Sequence, residues 1–295
     1  MTRARRVGAA IAPALSLAMA ATLTAALAGC ADTPEPPARA DAGQAVVDTR
    51  SLVEEDLADI VAEVEEEHDG IVGVAVSFRE GEAAAGIPGD SSAWSTLKVP
   101  IAIAAAQHGT ASESQINAAV STSDNAAATQ LWNSLGSELE AAHSVEMVMW
   151  RAGGPGNVRH AVTHYAGGPF GNSVWKLEPQ ARFATQLPCI EDADEVYDAM
   201  GEIAEWQEDG IGKVRGARFK GGWSAEKIEG GVYTYTYRQF GSVPADEGII
   251  GLAVIAHPAD GSHETATDML GELATGVEDL VDSGVIEPAE ECSAQ

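Results

Sequence analysis

A serine and a lysine one helical turn apart are the first residues in this 295-residue chain whose types and spacing predict chemistry. They are Ser95 and Lys98, at the start of an apolar, alanine-rich run. Residues three apart on a helix share a face, so the amine of Lys98 can reach the hydroxyl of Ser95. A serine becomes an effective nucleophile when a neighbouring base removes its proton. The pair therefore predicts an activated serine.

Two further short motifs follow in the chain. Ser123-Asp124-Asn125 precedes a helical pattern and offers a second hydroxyl and a carboxamide. Lys220-Gly221-Gly222 lies within a predicted strand, where glycines allow a ligand to lie against the strand backbone. Each motif alone is weak evidence. Their order along the chain and the type of element around each carry more weight than any one of them.

The three motifs together resemble the S-x-x-K, S-D-N and K-T-G elements of penicillin-recognising serine enzymes, meaning class A β-lactamases and D,D-peptidases. The resemblance extends over roughly residues 50–285. It implies an acyl-transfer reaction in which Ser95 attacks a carbonyl and Lys98 acts as general base or proton relay. In the same scheme the Ser123 hydroxyl passes the proton to the leaving nitrogen.

The resemblance also implies a substrate-binding set. Asn125 would hold the amide side chain of the substrate or orient the lysine base, and Lys220 would attract the substrate carboxylate. The backbone N–H groups of the nucleophile and of Trp223, the residue after Gly222, would form an oxyanion hole. The implied substrates are β-lactams or D-Ala-D-Ala-type cell-wall peptides, and no cofactor is implied.

Two departures from the family pattern bear on activity. Gly221 stands where the family usually has Thr or Ser, so a hydroxyl donor to the carboxylate is missing unless Ser224 replaces it. Class A β-lactamases place a deacylating glutamate in a loop that should lie within 150–177, and this stretch contains no Asp or Glu. We therefore expect an acyl-enzyme that is slow to deacylate. The alternative is a catalytically silent cell-envelope binding lipoprotein on the same fold.

The spacing of apolar residues predicts helices and strands in separate blocks. The helices are predicted over 51–68, 97–107, 112–135, 194–206 and 264–281, and the strands over 71–78, 217–223, 232–240 and 249–256. This order predicts an α/β fold of the α+β type, an antiparallel sheet flanked by helices with an all-helical insertion. Within one domain over residues 50–295, the sheet part would span about 50–94 and 213–295 and the helical part about 95–212.

The N-terminal segment has the pattern of an export signal. Arg3, Arg5 and Arg6 precede an apolar run that ends in Leu27-Ala28-Gly29-Cys30. This ending resembles the lipobox of bacterial lipoproteins, which implies a signal peptide over 1–29, lipidation of Cys30 and a disordered tether over 30–49. We therefore expect an exported protein, lipid-anchored to the outer face of the cell membrane. The alternative is a transmembrane anchor.

The charge of the chain limits its partners. Its 17 basic and 45 acidic residues give a formal net charge of -28. Such acidity excludes nucleic-acid backbone binding and polybasic docking to anionic lipid as primary functions. The expected partners are a small β-lactam or cell-wall peptide and, through the lipid anchor, the membrane. We expect a monomer.

The two remaining cysteines and two of the histidines are further candidate sites. Cys189 and Cys292 are left as a pair for a disulfide in an oxidising compartment, which would stabilise the fold by about 4–5 kcal/mol in the chain-entropy model. Two free thiols are the alternative. His160 and His164 are four residues apart, but no third ligand is spaced near them, which favours a surface loop over a metal site.

Overall fold

The structure is a computed structural model, and it describes residues 48–86, 91–165, 170–227 and 233–292. The predicted signal peptide, Cys30 and the tether up to residue 47 lie outside the described residues. Within the described ranges, no helix is both long and apolar enough to cross a membrane.

A five-stranded antiparallel sheet forms the centre of the fold, with the strand order β2-β1-β5-β4-β3. The strands are β1 (Gly70–Phe78), β2 (Gly81–Gly86), β3 (Arg218–Lys227), β4 (Tyr233–Ala245) and β5 (Gly248–Pro258). Each of the four predicted strands is present. The sheet confirms the predicted fold class, and it leaves β3, with the Lys-Gly-Gly motif, at an edge where its backbone can meet a ligand.

Nine α-helices accompany the sheet in the described ranges. They are α1 (Thr49–His68), α2 (Lys98–Gln107), α3 (Glu113–Val120), α4 (Asn125–Ser134), α5 (Glu138–Arg151), α6 (Val158–His164), α7 (Leu177–Gln186), α8 (Asp194–Ala199) and α9 (His263–Asp282). One core of buried apolar residues lies between the sheet and the terminal helices α1 and α9. A second core joins the other side of the sheet to the helices from α2 to α8.

The single helix predicted over 112–135 was wrong, because the chain breaks there into α3 and α4. Ser123 lies in the break with a left-handed φ of 56°. The side chain of Asp124 accepts a hydrogen bond from the backbone N–H of Ala127 at 2.7 Å and so caps the start of α4. Apolar spacing alone could not mark the break, since both helices bury a similar face. Ser123 therefore lies between the two helices and not within one.

The helix predicted over 194–206 was too long, and three helices were not predicted. The helix ends at Ala199 as α8, and a 3-10 turn follows over Glu205–Gln207. The unpredicted helices are α5, α6 and α7. Glycines and a run of mixed polarity around α5 and α6 obscure the helical spacing in this part of the sequence.

Helix α7 lies against the sheet although it falls within the stretch predicted to be an all-helical insertion. Ser242 Oγ on β4 donates to the carbonyl of Ala184 at 2.5 Å, and Thr185 Oγ1 donates to the carbonyl of Ser77 on β1 at 3.5 Å. The helix therefore forms part of the layer that covers the sheet. The 3-10 turn Trp94–Leu97, which leads into α2, contacts β3.

The predicted disulfide is present between Cys189 and Cys292, whose Cα atoms are 5.2 Å apart. It joins the 3-10 turn that follows α7 to the C-terminal segment after α9. The bond therefore closes a loop with a sequence separation of 103 residues. That loop contains Lys220 and most of the sheet.

Candidate active site

The nucleophile candidate lies in a tight turn at the entrance to a buried helix. Ser95 is the second residue of the 3-10 turn Trp94–Leu97, which runs directly into α2 at Lys98. Trp94 has a left-handed φ of 49°, a conformation that bulky residues rarely adopt. The α2 residues 98–105 are all buried, as the apolar sequence predicts. The helix therefore holds Ser95 and Lys98 in a fixed relation at its N-terminal end.

The backbone just before Ser95 is held from two sides. The N–H of Ala93 donates to the carbonyl of Ser173 at 2.7 Å. Arg238, completely buried on β4, donates from Nη1 to the carbonyl of Ser92 at 3.1 Å and from Nη2 to that of Trp175 at 2.7 Å. Buried charge-assisted hydrogen bonds of this kind are costly to break. They fix the position of the turn that carries the nucleophile.

The ammonium of Lys98 faces the second motif. Its Nζ donates to the Ser123 carbonyl at 2.5 Å, to Ser123 Oγ at 3.1 Å and to Asn125 Oδ1 at 2.8 Å. Three acceptors match the three protons of an ammonium group. In the part of the chain that the structure describes, no hydrogen bond joins Lys98 Nζ to Ser95 Oγ. Asn125 and Ser123 therefore orient the Lys98 side chain. Ser95 and Lys98, the predicted pair, both border one cleft.

A second lysine also reaches Ser123. Lys220 Nζ also lies 3.1 Å from Ser123 Oγ, and it donates to the Gly221 carbonyl at 2.9 Å and toward Gln207 Oε1 at 3.5 Å. Its side chain is completely buried and does not border the cleft. The hydroxyl of Ser123 therefore contacts the amines of both lysines. Lys98 borders the cleft, whereas Lys220 does not.

Burial shifts both lysines toward their neutral forms. It lowers the pKa of Lys98 to about 8, against the opposing effect of the Asp124 carboxylate. Burial also lowers the pKa of Lys220 well below its ordinary value, and the charge of Lys98 lowers it further. Two like charges beside one hydroxyl disfavour each other. Lys98 can therefore release and take up a proton more readily near neutral pH than an exposed lysine can.

A cleft of about 470 Å³ brings several of the predicted residues together. It is lined by Trp94, Ser95, Lys98, Asn125, Thr129, Trp132, Asn133, Glu138, Phe170, Gly171 and Trp223. Gly222 lies so close to the nucleophile turn that an added Cβ would be 2.7 Å from the backbone nitrogen of Ser95. This approach places β3 directly beside Ser95. The backbone nitrogens of Ser95 and Trp223 thus belong to adjoining segments at one end of the cleft.

The glycine at position 221 is explained by packing against a tyrosine. An added Cβ there would lie 3.1 Å from Cε2 and from the hydroxyl oxygen of Tyr237. Tyr237 is held in place because its hydroxyl donates to Asp209 Oδ1 at 2.8 Å and its ring contacts those of Trp223 and His263. A threonine at this position would require the buried tyrosine to move. Packing against Tyr237 therefore explains why position 221 carries a glycine and not the expected Thr or Ser.

Several residues of the site were missed in the sequence. Gln207 contacts Lys220, and three aromatic residues and one acid border the cleft, namely Trp94, Trp132, Phe170 and Glu138. Glu138 follows the capping-box residue Ser137, which marks a helix start, but nothing in the local sequence indicates that it borders the same cleft as Ser95. The three aromatic residues are too far apart in the sequence for their spacing to indicate that they share a cleft.

The weaker sequence candidates lie elsewhere. His160 and His164 are exposed on α6, with their ring centroids stacked at 3.9 Å. Over the described ranges, the one group of three potential metal ligands within 4.8 Å of one another comprises Glu67, His68 and Glu272. In that group His68 Nε2 already contacts Glu272 Oε1 at 2.7 Å. None of these residues borders the cleft.

Comparison with solved structures shows that this architecture is the class A β-lactamase fold. A class A β-lactamase from Bacteroides cellulosilyticus matches with a TM-score of 0.61 and 14% identity over 78% of this chain and 98% of its own. The TLA-3 extended-spectrum β-lactamase matches with a TM-score of 0.58 and 14% identity over 77% and 99%. A β-lactamase from Xanthomonas campestris matches with a TM-score of 0.57 and 16% identity over 78% and 98%.

The chain therefore has the fold of the class A β-lactamases. No protein-family model and no curated protein sequence matches it. At this level of identity the structural likeness establishes the fold alone, and the activity must be argued from the site.

Proposed function

We propose that this protein is a serine acyl-transfer enzyme that reacts with β-lactams or D-Ala-D-Ala-type cell-wall peptides through an acyl-enzyme on Ser95. The observation that carries the proposal is the placement of Ser123 Oγ 3.1 Å from both Lys98 Nζ and Lys220 Nζ, next to a cleft that Ser95 borders. A protein that only binds a ligand has no need for two desolvated lysines beside a serine.

The first step forms the acyl-enzyme. Ser95 Oγ attacks the carbonyl carbon of the substrate, and its proton passes to Lys98 in the neutral form. With a pKa of about 8, this form makes up about a tenth of the protein at pH 7. Lys98 must release one of its three acceptors to receive the proton. The carbon–nitrogen bond of the substrate then breaks as the tetrahedral intermediate collapses.

Ser123 delivers the proton to the leaving nitrogen. Because its hydroxyl oxygen contacts both lysines, it can give its own proton to the nitrogen and recover one from Lys98. Lys220 fixes the hydroxyl from behind, and a substrate carboxylate near Ser123 would favour the charged form of this lysine. The backbone N–H groups of Ser95 and Trp223 would stabilise the oxyanion, and each such donor contributes about 3–4 kcal/mol in well-studied enzymes.

The second step, hydrolysis of the acyl-enzyme, lacks an evident base. Among the described residues that line the cleft, Glu138 is the one acid, and it follows the far end of α4 rather than standing beside Ser95. General-base activation contributes about 10²–10⁴-fold, so deacylation should be slower by about this factor than in a β-lactamase that has the base. The enzyme would then accumulate as the acylated form.

Rapid-mixing kinetics with a chromogenic β-lactam test this proposal. We expect a burst of one product per Ser95, followed by a slower steady state that is limited by deacylation. Fast multiple turnover without a burst would show that another group activates water. Absence of both burst and turnover with β-lactams and with D-Ala-D-Ala esters would favour the catalytically silent binding protein instead.

We also propose export as a lipoprotein, on the strength of the N-terminal arginines and the sequence Leu27-Ala28-Gly29-Cys30. A lipid anchor would place the cleft near the cell wall, where D-Ala-D-Ala-type peptides occur. Replacement of Cys30 by alanine is expected to abolish processing and to change the membrane association of the protein, as measured by fractionation of cells expressing each form. Unchanged processing and membrane retention in this variant would contradict the lipoprotein assignment.

A further inference from the structure

The end of the cleft beside β3 offers few donors to a substrate carboxylate. The resemblance to penicillin-recognising enzymes implies that Lys220 and a hydroxyl at position 221 bind this group, but position 221 is a glycine. Lys220 is completely buried, and its Nζ faces three acceptors, namely Ser123 Oγ, the Gly221 carbonyl and Gln207 Oε1. Because an ammonium group has three protons, these contacts use all of them.

A tyrosine hydroxyl lies beside position 221, but its proton is engaged. The hydroxyl oxygen of Tyr237 would be 3.1 Å from a Cβ added at Gly221. This hydroxyl donates to Asp209 Oδ1 at 2.8 Å and accepts from Gln239 Nε2 at 3.1 Å. A phenol has one proton to donate. Tyr237 therefore does not supply the donor that Gly221 lacks.

Asp209 places a negative group behind this hydroxyl. Burial raises the pKa of Asp209, whereas the hydrogen bonds from Tyr237 and Gln239 lower it. Among the residues that the structure describes, none forms an ion pair with Asp209. One hydroxyl thus separates this carboxylate from position 221. A substrate carboxylate at that position would meet a like charge, in a chain whose net charge is -28.

The cleft lining offers an anion no compensating charge during the reaction. Lys98 is the one basic residue among the described residues that border the cleft, and it can accept the proton of Ser95 only in its neutral form. Glu138 is the one acid of the same set. When Lys98 is ready to act as base, the described lining therefore carries no positive charge.

Aromatic rings lie at the β3 end of the cleft. Trp223 borders the cleft, and its ring meets those of Tyr237 and Trp206 edge-on, with centroids 5.6 and 5.9 Å away. Trp206 is 62% exposed. Such rings suit an uncharged, apolar group better than a carboxylate.

We propose that Tyr237 and Asp209 are specificity residues that make the site favour acyl donors whose leaving-group side is uncharged, such as neutral esters and lactams. This inference rests on the proposed acyl-transfer function and names its substrate class. The bond from Ser95 Oγ to the carbonyl carbon forms, the bond to the leaving oxygen or nitrogen breaks, and the leaving atom takes the proton that Ser123 delivers. β-Lactams still react through their carbonyl, but their carboxylate does not assist binding.

Benzylpenicillin and its methyl ester, which lacks the negative charge, test the inference by calorimetric titration. Binding to the Ser95→Ala variant is measured, so that the result does not depend on acylation. We expect the ester to bind at least as tightly as the acid at low salt. A site that donates charge-assisted hydrogen bonds to the carboxylate would instead bind the acid about 10- to 100-fold more tightly.

A variant of Asp209 separates its local charge from the general acidity of the protein. Asp209→Asn removes the charge and keeps Oδ1 as an acceptor for Tyr237. In the Ser95→Ala background it should tighten binding of the acid by about three- to tenfold, an effect that salt weakens, and leave binding of the ester unchanged. Asp246→Asn is the matched control, because it removes the same charge from the exposed turn between β4 and β5. It should change neither affinity.

The outcomes distinguish this inference from the proposed function. Tighter binding of the acid than of the ester, failure of both to bind, or an affinity for the acid that Asp209→Asn leaves unchanged would overturn the inference. Acylation of Ser95 by a penicillin would stand in any of these cases. Conversely, a preference for the ester that Asp209→Asn reduces, in a protein that no β-lactam or ester acylates, would support the specificity and contradict the acyl-transfer reaction.

Discussion

Replacement of Lys98 by methionine is expected to slow acylation of Ser95 by about 10²–10⁴-fold, the usual contribution of a general base. Methionine has a similar length and no charge, so it fills the buried space at the start of α2 while removing proton transfer. The acceptors Ser123 and Asn125 lose their shared donor. Stopped-flow measurement with a chromogenic β-lactam gives the acylation rate directly.

The pH profile separates a catalytic role of Lys98 from a structural one. The neutral amine is the base, and its pKa is about 8, so acylation by the unaltered protein should rise with pH and level off above pH 8. The Lys98→Met protein should lack this rise. Lys213→Met, at an exposed lysine, is the control and should keep both rate and profile. An unchanged profile in Lys98→Met would assign the proton transfer to another group.

Gly222→Ala is expected to lower the acylation rate by about 10²–10³-fold, the loss associated with one oxyanion donor. The added Cβ would lie 2.7 Å from the Ser95 nitrogen and 3.0 Å from both the Ala93 oxygen and the Thr96 nitrogen. All three are backbone atoms that cannot turn away, so β3 must shift from the nucleophile turn. The shift moves the N–H of Trp223 out of position. Stopped-flow acylation measures the loss.

A second glycine variant controls for this substitution. Gly271→Ala lies on α9, where the added Cβ would meet only Lys213 Nζ at 3.9 Å. Its acylation rate should equal that of the unaltered protein, and its stability should rise by up to about 1 kcal/mol, because alanine favours helix. Chemical denaturation of both variants establishes that they fold. A fully active Gly222→Ala protein would refute the proposed oxyanion geometry.

The three short motifs predicted much of the site because their chemistry depends on local spacing. Ser95 and Lys98 border one cleft, and the Ser-Asp-Asn motif supplies the contacts of both lysines. Strands β1 and β5 were also predictable, because they carry continuous apolar runs between turns, whereas the short strand β2 was not predicted. The features that could be predicted are thus those that depend on residues near one another in the sequence.

Features that depend on distant contacts were not predictable. The break at Ser123 was hidden because α3 and α4 continue one apolar pattern across it. The reason for Gly221 lies in Tyr237, which reaches it from the neighbouring strand. Glu138 borders the cleft only because α4 ends there and the chain turns into α5. In each case the deciding neighbour is set by tertiary packing, which leaves no local pattern.

Intact-protein mass spectrometry after incubation with benzylpenicillin shows whether Ser95 forms an acyl-enzyme. We expect a mass increase of one penicillin molecule that peptide mapping locates on Ser95. It should persist through removal of free drug, as slow deacylation requires, and be absent from Ser95→Ala. A folded protein that gains no mass with any β-lactam, or equal labelling of Ser95→Ala, would contradict an acyl-enzyme on Ser95.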